Sequence, residues 1–176
     1  MQAAEVSCLV QAHGAELYHF CRRLACCGQD ADDLYQQTFL RLLEMELAVD
    51  QGQNPRALLF SVASGLWKNE ARKRGRRSAI ARPLELDADA PPPLAAPDDP
   101  AREAADGAEQ AALRAAVSAL PPKLQVPVVL AYGFDVPLAQ IAQIEKTPQG
   151  TVKSRLHKAR QLLKKRMEAQ GYGKTE

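Results

Sequence analysis

Residues 147–166 read TPQGTVKSRLHKARQLLKKR, a stretch rich in bases and free of acids. Thr147 stands where a helix cap belongs, and Pro148 suits the first helical position. At helical spacing, Val152, Leu156, Ala159 and Leu163 fall on one apolar stripe that needs a core to cover it. Ser154, His157, Lys158 and Gln161 lie opposite, flanked by Thr151 and Lys153. Such a helix could be a solvated surface, a membrane-surface element or a reader of a DNA groove. Small and polar groups in its first turns (Gly150, Thr151, Ser154) permit close approach to base edges, and the later Lys and Arg suit phosphate. A solvated helix more often carries Glu at i, i+4 for pairing. A membrane-surface helix needs a broader, bulkier apolar face. The pattern favours DNA, with the other two readings still open.

Working outward, a short helix from Pro137 to about Ile144 is expected to turn Leu138, Ile141 and Ala142 inward. The turn EKTP (145–148) leads from it into the basic helix. Two helices joined by a tight turn, the second of them basic, form the helix-turn-helix pattern. Upstream, an Ala-rich helix from about Arg102 to Ala119 ends at LPP, and another starts near Pro122. Pro127 should kink or restart that helix.

Charge is distributed in blocks. Lys68 to Arg82 holds seven bases against Glu70, and Lys146 to Arg166 holds eight bases and no acid. Between them, Glu85 to Glu109 holds eight acids against Arg102. Residues 83–107 also carry a run of prolines, so this stretch reads as a flexible acidic linker. It divides the chain into residues 1–82, a linker over 83–103, and residues 104–176. Two basic blocks around an acidic spacer suggest two polyanion-binding surfaces.

The front half is helical throughout. Apolar residues repeat at helical spacing to about Cys26, with Val6, Val10, His13, Leu17, Cys21 and Leu24 on one face and Gly28 as a stop. Asp30 is expected to cap a second helix, on which Tyr35, Thr38, Phe39, Leu42 and Met45 share a face. Asp33, Gln36, Gln37, Leu40 and Glu44 lie opposite, as a solvated face or a docking face for a partner helix. After the loop VDQGQNP, Pro55 opens a third helix, PRALLFSVASGLWKNEARKRGRR. Its basic run suits phosphate, and Phe60 and Trp67 could stack unpaired bases. Their i, i+7 spacing more readily makes both of them core residues. The fold class is therefore all-α, two small helical domains joined by the linker.

Composition narrows the classes further. Hydrophobic residues at 46% and charged residues at 25% are those of a soluble globular protein. No apolar run reaches the roughly 18 residues a membrane span needs. The N-terminus has no basic region of a signal peptide, so a cytoplasmic location is expected. Cys8, Cys21, Cys26 and Cys27 fit no metal template, although His13 and His19 keep a zinc or redox reading open. The plainer reading makes Cys21 a small hydrophobe. No phosphate-binding Gly-rich loop, H-E-x-x-H or G-x-S-x-G is present, so a binder without cofactor, metal or small-molecule substrate is favoured over an enzyme.

Three stretches together resemble one family. The segment DADDLYQQTFLRLLE (30–44) is similar to the core-polymerase-binding segment of bacterial sigma factors. NPRALLFSVASGLWKNEARKRGRR (54–77) is similar to their promoter-melting and −10-reading segment. ALPPKLQVPVVLAYGFDVPLAQIAQIEKTPQGTVKSRLHKARQLL (119–163) is similar to their −35-reading domain. Their order and the acidic linker resemble the extracytoplasmic-function group of the sigma-70 family. The resemblance implies an alternative sigma factor, with core RNA polymerase and promoter DNA as partners and an anti-sigma factor as inhibitor. It implies that Asp33, Gln36, Gln37, Leu40 and Glu44 dock on core polymerase. It places the 49–55 loop with Trp67, Lys68, Asn69, Arg72, Lys73, Arg74, Arg76 and Arg77 at the −10 element. Thr151, Lys153, Ser154, His157 and Lys158 fall at the −35 element. Four residues depart from the family pattern: Gly65 stands where Asn is usual, Lys146 where Gly is frequent, and Pro127 and Pro137 at positions more often polar. Other classes to separate are a helix-turn-helix regulator with an N-terminal sensing or dimerisation domain, and an adaptor whose basic blocks meet acidic partners.

Overall fold

The computed structural model describes residues 3–25, 27–45, 54–81 and 107–172. The expected linker (83–103) and most of the 49–55 loop lie outside these, as does Cys26. The described residues form only helices, without a strand: α1 (Ala3–Leu24), α2 (Gly28–Glu44), α3 (Pro55–Ala81), α4 (Ala108–Ser118), α5 (Pro122–Val128), α6 (Leu138–Glu145) and α7 (Gln149–Ala169).

Helices α1 to α3 pack as one bundle. The buried stripe of α1 runs through Val6, Leu9, Leu17, Phe20, Cys21 and Leu24, while Val10 turns outward. The expected stripe thus took Val10 in place of Leu9 and missed Phe20. Gly14 faces α2 closely, since a Cβ there would lie 2.9 Å from the Tyr35 hydroxyl. Gly28 does not stop α1 but opens α2, whose cap is Cys27 rather than Asp30. The Cys27 Sγ accepts the Asp30 N–H at 3.5 Å, which fills one of the orphan donors of the first turn. Asp30 is then free to pair elsewhere. On α2 the buried residues are Ala31, Leu34, Thr38 and Leu42, and the Thr38 hydroxyl donates to the Leu34 carbonyl at 2.7 Å. For α3, Asn54 is the cap: its side-chain oxygen accepts the Arg56 N–H at 3.1 Å, and Pro55 follows at N1.

The back half packs α4, α5 and α6 against α7. Pro127 lacks an N–H, and α5 passes directly into a wide π-helical turn over Val129–Gly133. The expected kink takes that form. Helix α6 ends on Lys146 in the left-handed conformation (φ 51, ψ 45), where glycine would be unstrained. That backbone reverses the chain into α7. Its cap is Pro148, one residue later than Thr147, whose hydroxyl oxygen is buried without a hydrogen-bond partner.

One continuous core joins the halves. Phe134, from the turn before α6, lies between the halves with its ring 5.7 Å from Phe20 and 5.4 Å from Phe60. Gln125 is buried and donates from Nε2 to the Leu24 carbonyl at 2.9 Å, tying α5 to the end of α1.

Candidate nucleic-acid and polymerase interface

Helix α7 turns Val152, Leu156 and Ala159 into the core. Lys153, Ser154, His157 and Lys158 are exposed on its outer face, with Thr151 half-buried beside them. The left-handed turn at Lys146 and the packing of α6 on α7 aim that face outward. Ser154 donates to the Gly150 carbonyl at 3.0 Å, and the Gln161 amide sits 3.0 Å from the His157 ring. Polar groups in the early turns are thus pre-positioned on a rigid element. Of the terminal KKR, Arg166 is not simply solvated, because it donates to the Ala116 carbonyl at 3.0 Å.

On the opposite half, Asp33, Gln36, Gln37, Leu40 and Glu44 are all exposed along α2. Leu40 is 59% exposed and Leu43, beside it, 42%. Leu43 was missed from sequence, although its place outside the Ala31–Leu34–Thr38–Leu42 stripe was the available signal. Arg41 pairs with Glu44 at 3.0 Å on the same surface. At its upper end, Asp32 accepts a hydrogen bond from Tyr18 and thereby holds that phenol above its ordinary pKa. Amides, acids and two leucines therefore form a ridge whose leucines stand outside the core of the described residues.

The basic end of α3 divides into two sets. Asn69, Arg72, Lys73, Arg76 and Arg77 are exposed. Trp67 is buried, donating from Nε1 to Gln125 Oε1 at 2.9 Å, as the core reading of its spacing anticipated. Lys68 is committed to Glu145 at 2.5 Å. Arg74 grips Asp30 through two hydrogen bonds of 2.8 and 2.7 Å and stacks 5.9 Å from the Trp67 ring centre. Of the expected eight, Trp67 and Lys68 are thus withdrawn from the surface, whereas Arg74 stays exposed while paired, as do Arg72 with Asn69 and Lys73 with Glu70. Arg74 holds the Asp30 carboxyl below its ordinary pKa.

Among the described residues no group of His, Cys, Asp and Glu could hold a metal ion. Burial pushes the Cys21 thiol up to about 12, so it stays a neutral core thiol. No helix among the described residues is long and apolar enough to cross a membrane.

These two surfaces coincide with two matched families. Residues 9–77 match the family model of sigma-70 region 2, and residues 110–163 match that of sigma-70 region 4. The chain is 30% identical over 89% of its length to the ECF RNA polymerase sigma factor SigE of Mycolicibacterium smegmatis, and it spans 59% of that relative. It is 28% identical to SigL of Mycobacterium tuberculosis, covering 97% of this chain and 93% of that one. SigW of Bacillus subtilis is 25% identical, with 90% and 87% covered. The fold is similar to that of the sigma factor RpoE in complex with the anti-sigma factor NepR from Bartonella quintana. That match has a TM-score of 0.63 and 22% identity over 94% of this chain and 95% of that one. With both regions matched in the order the sequence places them, the chain belongs to the extracytoplasmic-function group of the sigma-70 family of RNA polymerase sigma factors.

Proposed function

We propose that this chain is an alternative sigma factor, which binds core RNA polymerase in the cytoplasm and directs it to promoters by reading −10 and −35 elements. Residues 1–82 bind core polymerase and handle the −10 element, residues 83–103 link, and residues 104–176 read the −35 element. The exposed α2 ridge of Asp33, Gln36, Gln37, Leu40 and Glu44 docks on core. The early turns of α7, with Thr151, Lys153, Ser154, His157 and Lys158, enter the major groove at −35. Asn69, Arg72, Lys73, Arg76 and Arg77 hold −10 phosphates, and Trp67, Lys68 and Arg74 join them once released from their present partners. The protein acts by binding alone, without catalysis or cofactor. An anti-sigma factor is its expected inhibitor, by analogy with the Bartonella RpoE, which forms a complex with the anti-sigma factor NepR.

The observation that carries this reading is one chain presenting both an exposed α2 ridge and a helix-turn-helix reader with a basic outer face. Mixing the purified protein with sigma-free core polymerase at moderate salt tests it: a stable complex is expected. Without such a complex the reading fails. A conventional regulator would instead bind specific duplex DNA unaided, and an adaptor would show no sequence preference.

A further inference from the structure

On the outer face of α7 the nitrogen end of the Gln161 amide lies 3.0 Å from Nε2 of the His157 ring, one helical turn away. An amide nitrogen has protons to give and accepts nothing, so Gln161 donates and His157 Nε2 accepts. A neutral imidazole carries one ring proton, and that proton must then sit on Nδ1. Nδ1 lies on the ring edge turned away from Gln161, and no hydrogen bond to another described residue engages it. Both side chains are exposed, so the bond does little for the stability of the fold. Its consequence lies in what the ring offers to a ligand.

We infer that Gln161 is a positioning residue for −35 specificity, which holds the His157 proton on Nδ1 and so makes the ring a hydrogen-bond donor toward the major groove. This rests on the sigma-factor reading above. Among the groups of that face, Lys153 and Lys158 can only donate, and the hydroxyls of Thr151 and Ser154 rotate to donate or accept. His157 differs, because the polarity of its free nitrogen depends on what its other nitrogen is bonded to. Gln161 itself need not touch DNA.

The proton's position selects a class of base. In the major groove guanine and thymine present a carbonyl oxygen, O6 or O4, where adenine and cytosine present an amino group. A ring that donates from Nδ1 pairs with the carbonyl bases. With the proton on Nε2 instead, Nδ1 would accept, and the preference at that base pair would pass to adenine or cytosine. One ring hydrogen bond of this kind discriminates by about fivefold.

The tautomer is read directly by long-range ¹H–¹⁵N correlation on the full-length ¹⁵N-labelled chain at about pH 8, above the titration range of an ordinary imidazole. The chain has three histidines, and His157→Ala assigns the ring in question. His157 is expected to show a protonated Nδ1 and an unprotonated Nε2. Gln161→Met removes the donor, and Gln161→Glu offers a carboxylate that can only accept, so the first is expected to lose the Nδ1 proton preference and the second to reverse it. Met and Glu are both good helix formers, so α7 is kept, as far-UV circular dichroism checks. The second readout is binding, with core polymerase, to duplexes in which each base pair of the −35 block is replaced in turn. Gln161→Met is expected to flatten the preference at one base pair by about fivefold, the same one that His157→Ala flattens, and to leave the others unchanged. Gln161→Glu is expected to move that preference toward adenine or cytosine. A wild-type ring protonated on Nε2 would overturn the inference. So would a Gln161→Met profile equal to that of the wild type, or weakened uniformly at every base pair. The tautomer is measured without core, and core binding is assayed separately, so failure of the sigma-factor reading is distinguishable from failure of this one.

Discussion

Lys158 tests, at a single residue, the −35 role proposed for α7. It is exposed on the outer face of α7, and no ion pair joins it to another described residue. Lys158→Ala is expected to weaken binding to a −35 duplex by about 1 kcal/mol, roughly fivefold, and to lower the salt slope by about one. Fluorescence anisotropy over a salt series measures both, and association with core polymerase should stay unchanged. This residue was legible from helical spacing alone, because an outward position on an isolated amphipathic helix follows from period 3.6. The core place of Trp67 was legible in the same way, but the pairings of Trp67, Lys68 and Arg74 were not. Their partners Gln125, Glu145 and Asp30 are 58, 77 and 44 positions away in the chain, and periodicity does not encode such pairings.

At the scale of elements, α2 is the test case. Its exposed ridge includes Leu40, which lies outside the core, so Leu40→Ala should change stability by less than about 0.5 kcal/mol. Affinity for core polymerase should fall by about 1–2 kcal/mol, roughly tenfold, as for an apolar anchor at the centre of an interface. Thermal melting and a core-binding titration on the same sample separate the two effects. The junction of α2 with α3 has a pH signature. The Asp30 pKa is lowered, chiefly by the Arg74 hydrogen bond. A depressed carboxylate stabilises the fold above its unfolded value, about 3.9, and loses that contribution as pH falls through the native value. Arg74 is half exposed, so the pair contributes less than about 1 kcal/mol. Arg74→Ala should therefore lower the melting temperature at pH 7, with the difference shrinking at pH 3.

Element boundaries followed proline where backbone chemistry decides, as at Pro55, Pro122 and the Pro127 kink, whereas Gly28 opened α2 instead of stopping α1. They slipped where a cap depended on local geometry. Cys27 displaced Asp30 because its sulfur reaches the Asp30 N–H, and Pro148 displaced Thr147 because the left-handed Lys146 turns the chain first. The helix-turn-helix itself was legible because both of its helices are amphipathic and its turn is short.

For the whole molecule, charge blocks and an acidic spacer marked out two halves, but their mutual packing was beyond the sequence. The Phe134 wedge and the Gln125 and Glu145 links depend on complementary surfaces, not on composition. The α2 ridge and the outer face of α7 are both exposed, whereas Trp67 is buried against the back half.

The central claim is that this chain gives core polymerase promoter specificity. The direct measurement is transcription in vitro from a pool of genomic fragments, using sigma-free core with and without the protein, and mapping of the transcript 5′ ends. The account predicts new start sites that share two sequence blocks about 25 base pairs apart, with those starts diminished for Lys158→Ala. Start sites identical to those of core alone, at protein concentrations that saturate core, would contradict it.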